Sequence, residues 1–171
     1  MDPAPLRIRR ATHDDLPALL DLYQHLAPGD DRPAQDAAAQ ILDRLMAYAG
    51  SCILIGEAGP VLAATCTLVV IPNLTHGGTP YGLIENVVTH GDCRNRGYGK
   101  RMLDAASDAA WQAGCYKVML MTGSKKPETL NFYRSAGFEQ SKTGFQKRRI
   151  SVREEGEEGG QPPFSCRHPR A

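Results

Sequence analysis

The alternation of apolar and polar positions in the first fifty residues predicts one strand and two helices. Residues 6–10 alternate apolar and basic side chains, as a half-buried strand does. Thr12 is typical of a helix N-cap, and apolar residues at helical spacing follow it as far as Leu26. A second helix with one apolar face is expected between Pro33 and Gly50.

The rest of the chain predicts a β-rich block followed by alternating helices and strands. Short runs rich in Val, Ile and Thr are typical of strands, and segments with an apolar stripe that end at glycine are typical of helices. The expected strands are residues 52–57, 61–71, 83–89, 117–121 and 145–152, and the expected helices cover residues 102–113 and 127–136. The resulting order, βααβββαβαβ, predicts an α/β domain of the α+β type.

Charge and hydropathy restrict the classes of function. The chain has 171 residues, with 20 Lys and Arg against 19 Asp and Glu, and its formal net charge is +1. A nearly neutral chain has no general electrostatic attraction for nucleic acid or for an anionic membrane surface, so we expect no partner of either kind. No apolar run reaches the ~20 residues of a membrane span, and the N-terminus lacks the apolar segment of a secretory signal.

The cysteines bear on the compartment and on metal binding. There are five of them, and no two form a C-x-x-C pair. An odd number of cysteines without that spacing predicts reduced thiols rather than a disulfide framework or a zinc site. We therefore expect a cytoplasmic protein with no metal.

One glycine-rich turn, residues 90–100, joins an expected strand to an expected helix. The first N–H groups of a helix have no acceptor inside it, and the helix dipole adds about half a positive charge there. Gly97 and Gly99 allow the backbone to approach a ligand closely. Basic side chains surround them at Arg94, Arg96, Lys100 and Arg101. We therefore expect a phosphate or a pyrophosphate at this turn.

Two motifs in the second half of the chain carry a family resemblance. Residues 94–99 match R/Q-x-x-G-x-G/A, and residues 132–138 read F-Y-x-x-x-G-F. With both motifs in this order, the chain resembles the GNAT superfamily of acyl-CoA-dependent N-acetyltransferases, and residues 84–86 and 114–118 are similar to stretches of glucosamine-phosphate N-acetyltransferases. The resemblance implies the GNAT fold, a mixed central sheet with splayed strands flanked by helices, over residues 1–152. Residues 153–171, rich in Glu, Gly and Pro, are expected to form a flexible tail.

The resemblance implies acetyl-CoA as the acyl donor and assigns the residues that hold it. In the family the main chain of the glycine-rich turn surrounds the pyrophosphate, and the matching residues are Arg94, Asn95, Arg96, Gly97, Tyr98, Gly99 and Lys100. The strand before the turn pairs with the pantetheine arm, and the matching residues are Val87, Val88 and Thr89. Many members carry Asn seven positions before the motif tyrosine. This chain has Lys126 there, so Asn131 is the candidate for that contact.

The same resemblance implies two catalytic residues. Tyr133 matches the tyrosine whose hydroxyl lies near the CoA sulfur, and its implied role is to protonate the leaving thiolate. Glu85 lies on the strand where the family often places a carboxylate that accepts the proton of the amine, directly or through water. On a regular strand, Glu85 and Val87 share one face of the sheet.

The acceptor is the least determined part of the function. We expect direct transfer of the acetyl group to a primary amine of a small molecule, such as an amino sugar. A protein or peptide N-acyltransferase stays open as an alternative, and so does a non-catalytic acyl-CoA sensor. Because family members are often dimers, a homodimer stays open as well.

Overall fold

The computed structural model describes residues 5–149, and the chain divides into two units after Ser141. All the helices and strands of the described residues lie in the first unit. Its strands are β1 (Leu6–Arg10), β2 (Cys52–Ala58), β3 (Val61–Ile71), β4 (Tyr81–Thr89) and β5 (Val118–Leu120). Its helices are α1 (Leu16–Tyr23), α2 (Gln35–Met46), α3 (Tyr98–Gln112) and α4 (Pro127–Ser135).

The strands form one mixed sheet in chain order. The first four are antiparallel neighbours, whereas β4 and β5 are parallel and are connected through α3. The parallel pairing joins only residues 82–84 of β4 to residues 118–120 of β5. Beyond Ile84, β4 continues to Thr89 with no described strand on that edge. The predicted mixed sheet with splayed strands is therefore confirmed.

The larger core lies between α3 and one face of the sheet. The apolar stripe of α3 contributes Met102, Leu103, Ala106 and Ala110, which are fully buried. These side chains meet alternate residues of the three central strands, namely Leu54, Cys66, Leu68 and Ile84. Burial of one large apolar side chain stabilises a fold by about 1.5–3 kcal/mol, so this core fixes α3 firmly against the sheet.

The opposite face of the sheet is covered by α1 and α2 with less complete packing. Two small buried clusters lie there, one of Ala11, Leu19 and Ile55 and one of Leu16, Ala38 and Leu42. Apolar side chains at the edge of this layer stay exposed, including Leu26 at 44% and Ile41 at 55%. Space is therefore left between the helices and the sheet on this side.

An ion-pair network anchors the segment that leads into α1. The Arg9 guanidinium donates to both carboxylate oxygens of Asp15 at 2.7 Å and to Oε1 of Glu57 at 2.7 Å. Asp15 Oδ2 also accepts from the N–H of Thr12 at 2.8 Å, at the predicted helix start. The hydrogen bonds from Arg9 hold the pKa of Asp15 far below its ordinary value. The network thereby ties β1, β2 and the beginning of α1 together.

Some predicted elements differ from the structure. The first helix ends at Tyr23 rather than Leu26, and residues 24–26 continue as turns. The strand predicted at residues 145–152 is wrong for residues 145–149, which form no strand. Phe145 is 94% exposed and three basic residues follow one after another from Lys147, so this segment has no apolar face to bury.

The end of the chain lies outside the described residues. This includes residues 150–152 of the predicted strand and the predicted tail, residues 153–171. Among residues 5–149, none of the helices combines the length and the apolar character needed to cross a membrane.

Candidate active site

The turn between β4 and α3 presents main-chain N–H groups that have no acceptor among the described residues. Asn95 and Gly97 adopt the left-handed conformation, with φ of +59° and +75°. The first hydrogen bond of α3 runs from the N–H of Arg101 to the carbonyl of Gly97 at 3.2 Å, and no described side chain caps this end. The N–H groups of Gly99 and Lys100 precede that bond, so they are available to an anion.

Three of the four basic residues predicted at this turn are placed to attract an anion. The side chains of Arg94, Arg96 and Lys100 are exposed. Arg94 folds back so that its Nε lies 3.4 Å from the carbonyl oxygen of Thr89. Arg101 instead donates from Nη2 to a main-chain carbonyl of β1 at 2.8 Å, so its charge serves to join α3 to β1.

Close packing leaves no room for a side chain at Gly99. A Cβ there would lie 3.1 Å from Cζ of Phe132 and 3.4 Å from Oγ1 of Thr89. Tyr98 is only 2% exposed, so its side chain belongs to the core rather than to the surface of the turn. A cradle of main-chain donors with exposed cations around it fits a pyrophosphate, which accepts hydrogen bonds and carries negative charge.

The splayed part of β4 contains the three residues predicted to lie along the pantetheine arm. Val88 pairs with Thr65 and Thr89 pairs with Ala64, so one edge of the strand is held by β3. The other edge of Val87 to Thr89 faces no described strand. Main-chain groups that point to that edge can pair with a ligand that carries amides, as a further strand would.

A β-bulge changes the faces on which the β4 side chains lie. Glu85 lies opposite Thr67 and Val88 lies opposite Thr65, so β4 has one residue more than β3 in this interval. Asn86, at the bulge, has φ of +52°, and Val87 packs against the core under α3. The prediction that Glu85 and Val87 share a face is therefore wrong, because alternation holds only in a regular strand.

Electrostatics links the two predicted catalytic residues. Tyr133, on α4, is half-buried against the larger core. Burial raises the pKa of its hydroxyl, and the negative charge of Glu85 raises it further. Tyr133 therefore stays protonated at neutral pH, as a proton donor must.

The structure gives little support to Asn131 as a residue that contacts CoA. Its side chain is exposed on α4 and its Oδ1 accepts from Nη1 of Arg134 at 3.2 Å. Lys126, at the position where many family members have Asn, precedes the first turn of α4. The role of Asn131 in binding CoA stays a prediction.

Sequence reasoning missed a row of residues on the α1 and α2 face. Ile53, Thr67 and Glu85 lie opposite one another on β2, β3 and β4, so they share that face. Thr67 is buried, and no hydrogen bond of ordinary geometry joins its Oγ1 to another described residue. The sequence offers no signal for this row, because threonines in a strand rich in Val are typical of any sheet.

A cavity of about 340 Å³ borders one end of this row, at Ile53. It is lined by α1, α2, the segment between them, and by Ile53 and Asn86 from the sheet. Tyr23 also lines it, and burial raises the pKa of the Tyr23 hydroxyl while the Thr67 and Thr65 side chains oppose that rise. The bulged part of β4 is thus approached from this cavity on one side and from the splayed edge on the other.

Comparisons with known proteins agree with this geometry. The family model described as "Acetyltransferase (GNAT) family" matches residues 16–138. A glucosamine 6-phosphate N-acetyltransferase of Trypanosoma brucei brucei is 28% identical over 137 residues, which cover 80% of this chain and 91% of that relative. A candidate acetyltransferase structure from Agrobacterium tumefaciens str. C58 has 43% identity and a TM-score of 0.78, with 84% of this chain and 99% of that chain covered.

A third similarity supports the fold alone. The crystal structure of glucosamine-6-phosphate N-acetyltransferase from Arabidopsis thaliana has a TM-score of 0.78 at 21% identity, with 85% of this chain and 99% of that chain covered. The family match, by contrast, spans most of the chain and includes the splayed strand, the turn at residues 94–99 and Tyr133. The chain belongs to the GNAT family of acyl-CoA-dependent N-acetyltransferases.

Proposed function

We propose that this protein transfers the acetyl group of acetyl-CoA to a primary amine of a small molecule. The observation that carries the proposal is the course of β4. Its splayed edge begins beside the open N-terminus of α3 and leads back to Glu85, whose charge acts on Tyr133. A donor bound along this edge has its diphosphate at the turn and its thioester near the two candidate catalytic groups.

The donor is held mainly by the main chain. The N–H groups at the start of α3 bind the diphosphate, and Arg94, Arg96 and Lys100 supply positive charge around it. The free edge of Val87 to Thr89 pairs with the amides of the pantetheine arm, and one N–H there polarises the thioester carbonyl. Main-chain donors fixed by packing need no reorganisation during the reaction, which favours charge stabilisation in the transition state.

Glu85 and Tyr133 move the protons of the reaction. An alkylamine has a pKa of about 10, so it must lose a proton before its nitrogen attacks, and Glu85 accepts that proton directly or through water. A C–N bond forms as the C–S bond breaks, and Tyr133 gives its proton to the departing thiolate. The thiol has a reference pKa near 8.5 against about 10 for tyrosine, so this proton transfer is by itself uphill by about 1.5 pKa units.

The cavity under α1 and α2 favours a small acceptor over a peptide. It reaches the sheet at Ile53 and Asn86, beside Glu85, and its volume of about 340 Å³ is in the range of small-ligand sites. The named relatives act on a small amino sugar phosphate by name, which agrees with a small acceptor. The homodimer stays a prediction.

A thiol-release assay with acetyl-CoA and a library of amines tests the proposal. We expect release with small primary amines, and a strong decrease in Tyr133→Phe, whereas Tyr116→Phe serves as a control on an exposed tyrosine. Acetylation of peptide amines alone would favour the peptide N-acyltransferase. Binding of acetyl-CoA without thiol release for any amine would favour the sensor.

A further inference from the structure

The cavity under α1 and α2 has a mostly apolar wall. Its lining includes Leu16, Leu19, Leu20, Ile41, Leu42 and Leu45 from the two helices. An aliphatic or aromatic body gains free energy by leaving water for such a wall. The hydroxyl groups of a sugar would instead lose water there without gaining enough hydrogen-bond partners, which is unfavourable.

The charged side chains that line the cavity favour a cation. Asp30, Asp31 and Arg32 lie together on the segment between α1 and α2. The guanidinium of Arg32 forms an ion pair with the carboxylate of Asp21, a residue outside the lining. The one guanidinium of the described lining is therefore already paired with a carboxylate, whereas Asp30 contributes a negative charge to the lining.

This charge distribution opposes a phosphorylated acceptor. A phosphate group carries up to two negative charges at neutral pH and needs cationic or main-chain donors when it leaves water. A protonated amine is attracted instead by the exposed carboxylate of Asp30, which raises its local concentration near the cavity before its nitrogen reaches the reaction centre.

The apolar wall reaches the sheet at Ile53, which lies in the same row as the candidate base Glu85. Ile53 lines the cavity and lies in the same row of the sheet as Thr67 and Glu85, and Asn86 lines it directly beside Glu85. An amine whose apolar body packs against the helices therefore extends toward the candidate base. The Thr67 hydroxyl, which lacks a partner of ordinary geometry among the described residues, lies in this row between Ile53 and Glu85.

We infer that the acceptor of this protein is a non-phosphorylated amine with an apolar body, and that the carboxylate of Asp30 helps to select it over phosphorylated amino sugars. The inference rests on the proposed function, because it needs acetyl transfer at this cavity. The inferred acceptor differs from the phosphorylated amino sugar that appears in the names of the glucosamine 6-phosphate N-acetyltransferase relatives.

The test compares 2-phenylethylamine, glucosamine and glucosamine 6-phosphate as acceptors at a fixed, saturating concentration of acetyl-CoA. We expect kcat/KM for 2-phenylethylamine to exceed that for glucosamine 6-phosphate at least about tenfold. Equal use of the three acceptors, or a preference for glucosamine 6-phosphate, would overturn the inference while the acetyl transfer that it rests on stands. Acetyl-CoA binding with no transfer to any amine would overturn both.

Two substitutions show whether Asp30 itself selects the acceptor. Asp30→Asn is expected to raise KM for 2-phenylethylamine several-fold with little change in kcat, and Asp30→Lys to shift the preference toward glucosamine 6-phosphate. Asp14→Asn removes a charge from an exposed position outside the cavity lining and is the matched control. If Asp30→Asn and Asp14→Asn behave alike for all three acceptors, Asp30 does not select the acceptor and the inference is overturned.

Discussion

The two faces of the central sheet differ in how they are packed and in what they offer a ligand. Under α3 the core is continuous, and Met102, Leu103 and Ala106 have no measurable exposure. Under α1 and α2 the buried clusters are small and a cavity separates parts of the helices from the sheet. In the proposed function, the first face positions main-chain groups for the donor, and the second leaves side chains around a space for the acceptor.

The difference follows from the kind of recognition at each face. The proposed diphosphate site consists of main-chain N–H groups, which keep their directions only when α3 is fixed against β4 and α4. A Cβ at Gly99 would lie 3.1 Å from Cζ of Phe132 and 3.4 Å from Oγ1 of Thr89, which shows how closely these elements meet. An acceptor cavity depends on side chains, so its specificity can change without any change in the core.

The two faces meet at the bulge of β4. Asn86 lines the cavity proposed for the acceptor, Glu85 faces the same side of the sheet, and Val87 packs under α3. In a regular strand, Glu85 and Val87 would lie on one face. Either Glu85 would then point away from the cavity proposed for the acceptor, or Val87 would no longer pack against the core under α3. The predictions that follow test the two faces and this junction separately.

The largest effect is expected at the junction. Glu85→Gln keeps the shape of the side chain and removes its capacity to accept a proton, so kcat is expected to fall about 10²–10⁴-fold. KM for acetyl-CoA is expected to stay nearly unchanged, because the donor contacts lie elsewhere. Steady-state kinetics measures both values, with the exposed Glu139→Gln as the control. Full turnover in Glu85→Gln would mean that another group accepts the proton.

The second prediction concerns the frame of the acceptor face. Asp15→Asn weakens the network of Arg9 and Glu57 that fixes the entry to α1, so the free energy of unfolding is expected to fall by about 1–3 kcal/mol at neutral pH. The pKa of Asp15 is lowered in the folded state, so its contribution is complete above the unfolded pKa of about 3.9 and declines below it.

Urea unfolding at several pH values measures this contribution. The difference in free energy of unfolding between the wild type and Asp15→Asn is expected to shrink as the pH falls below about 4. The control is Asp92→Asn, whose carboxylate is 94% exposed. A difference that persists unchanged at low pH would show that Asp15 stabilises the fold by its shape rather than by its charge.

The third prediction concerns the donor face. Gly99→Ala places a Cβ 3.1 Å from Phe132 and displaces the start of α3 or the ring, and such overpacking costs typically about 1–3 kcal/mol. The affinity for CoA is expected to fall about tenfold or more. The preference for a non-phosphorylated amine over a phosphorylated one should be retained. Calorimetric titration with CoA measures the affinity. Gly123→Ala is the control, since a Cβ there meets nothing within 4 Å, and equal affinities would contradict the close-packed cradle.

The smallest effect is expected in the pH dependence. The negative charge of Glu85 contributes to the raised pKa of Tyr133, so Glu85→Gln is expected to lower that pKa. The alkaline limit of the residual activity should then move to lower pH, because deprotonated Tyr133 cannot protonate the thiolate. Ultraviolet absorption of tyrosinate, compared with a Tyr133→Phe reference in the same background, follows the titration directly. An unmoved titration would show that Glu85 and Tyr133 are not coupled.

The turn at residues 94–99 could be predicted from the sequence more fully than the cavity under α1 and α2 could. The turn at residues 94–99 is recognisable because diphosphate binding needs glycine at fixed positions and an open helix start, which are local properties of the chain. Tyr98 shows the limit of this reasoning, since its side chain proved to be part of the core. Asn86 could not be recognised as a bulge residue, because its conformation depends on the register between β3 and β4.

The acceptor cavity depends on contacts between residues far apart in the sequence. Ile53, Thr67 and Glu85 come together only through strand pairing, and their common face follows from the register of three strands. The mistaken strand at residues 145–152 has a related cause. Its described part has the composition of an edge strand, but composition does not show whether a segment has an apolar surface to cover.

A titration with CoA followed by amide chemical shifts tests most directly whether the two faces bind different substrates. We expect large shifts for the N–H groups of residues 95–100 and 87–89, and small ones for the α1 and α2 residues that line the cavity. When an amine that serves as an acceptor is then added to the CoA complex, the amide signals of α1 and α2 should shift. CoA-dependent shifts centred on α1 and α2, with residues 95–100 unmoved, would contradict the assignment of the donor to the open end of α3.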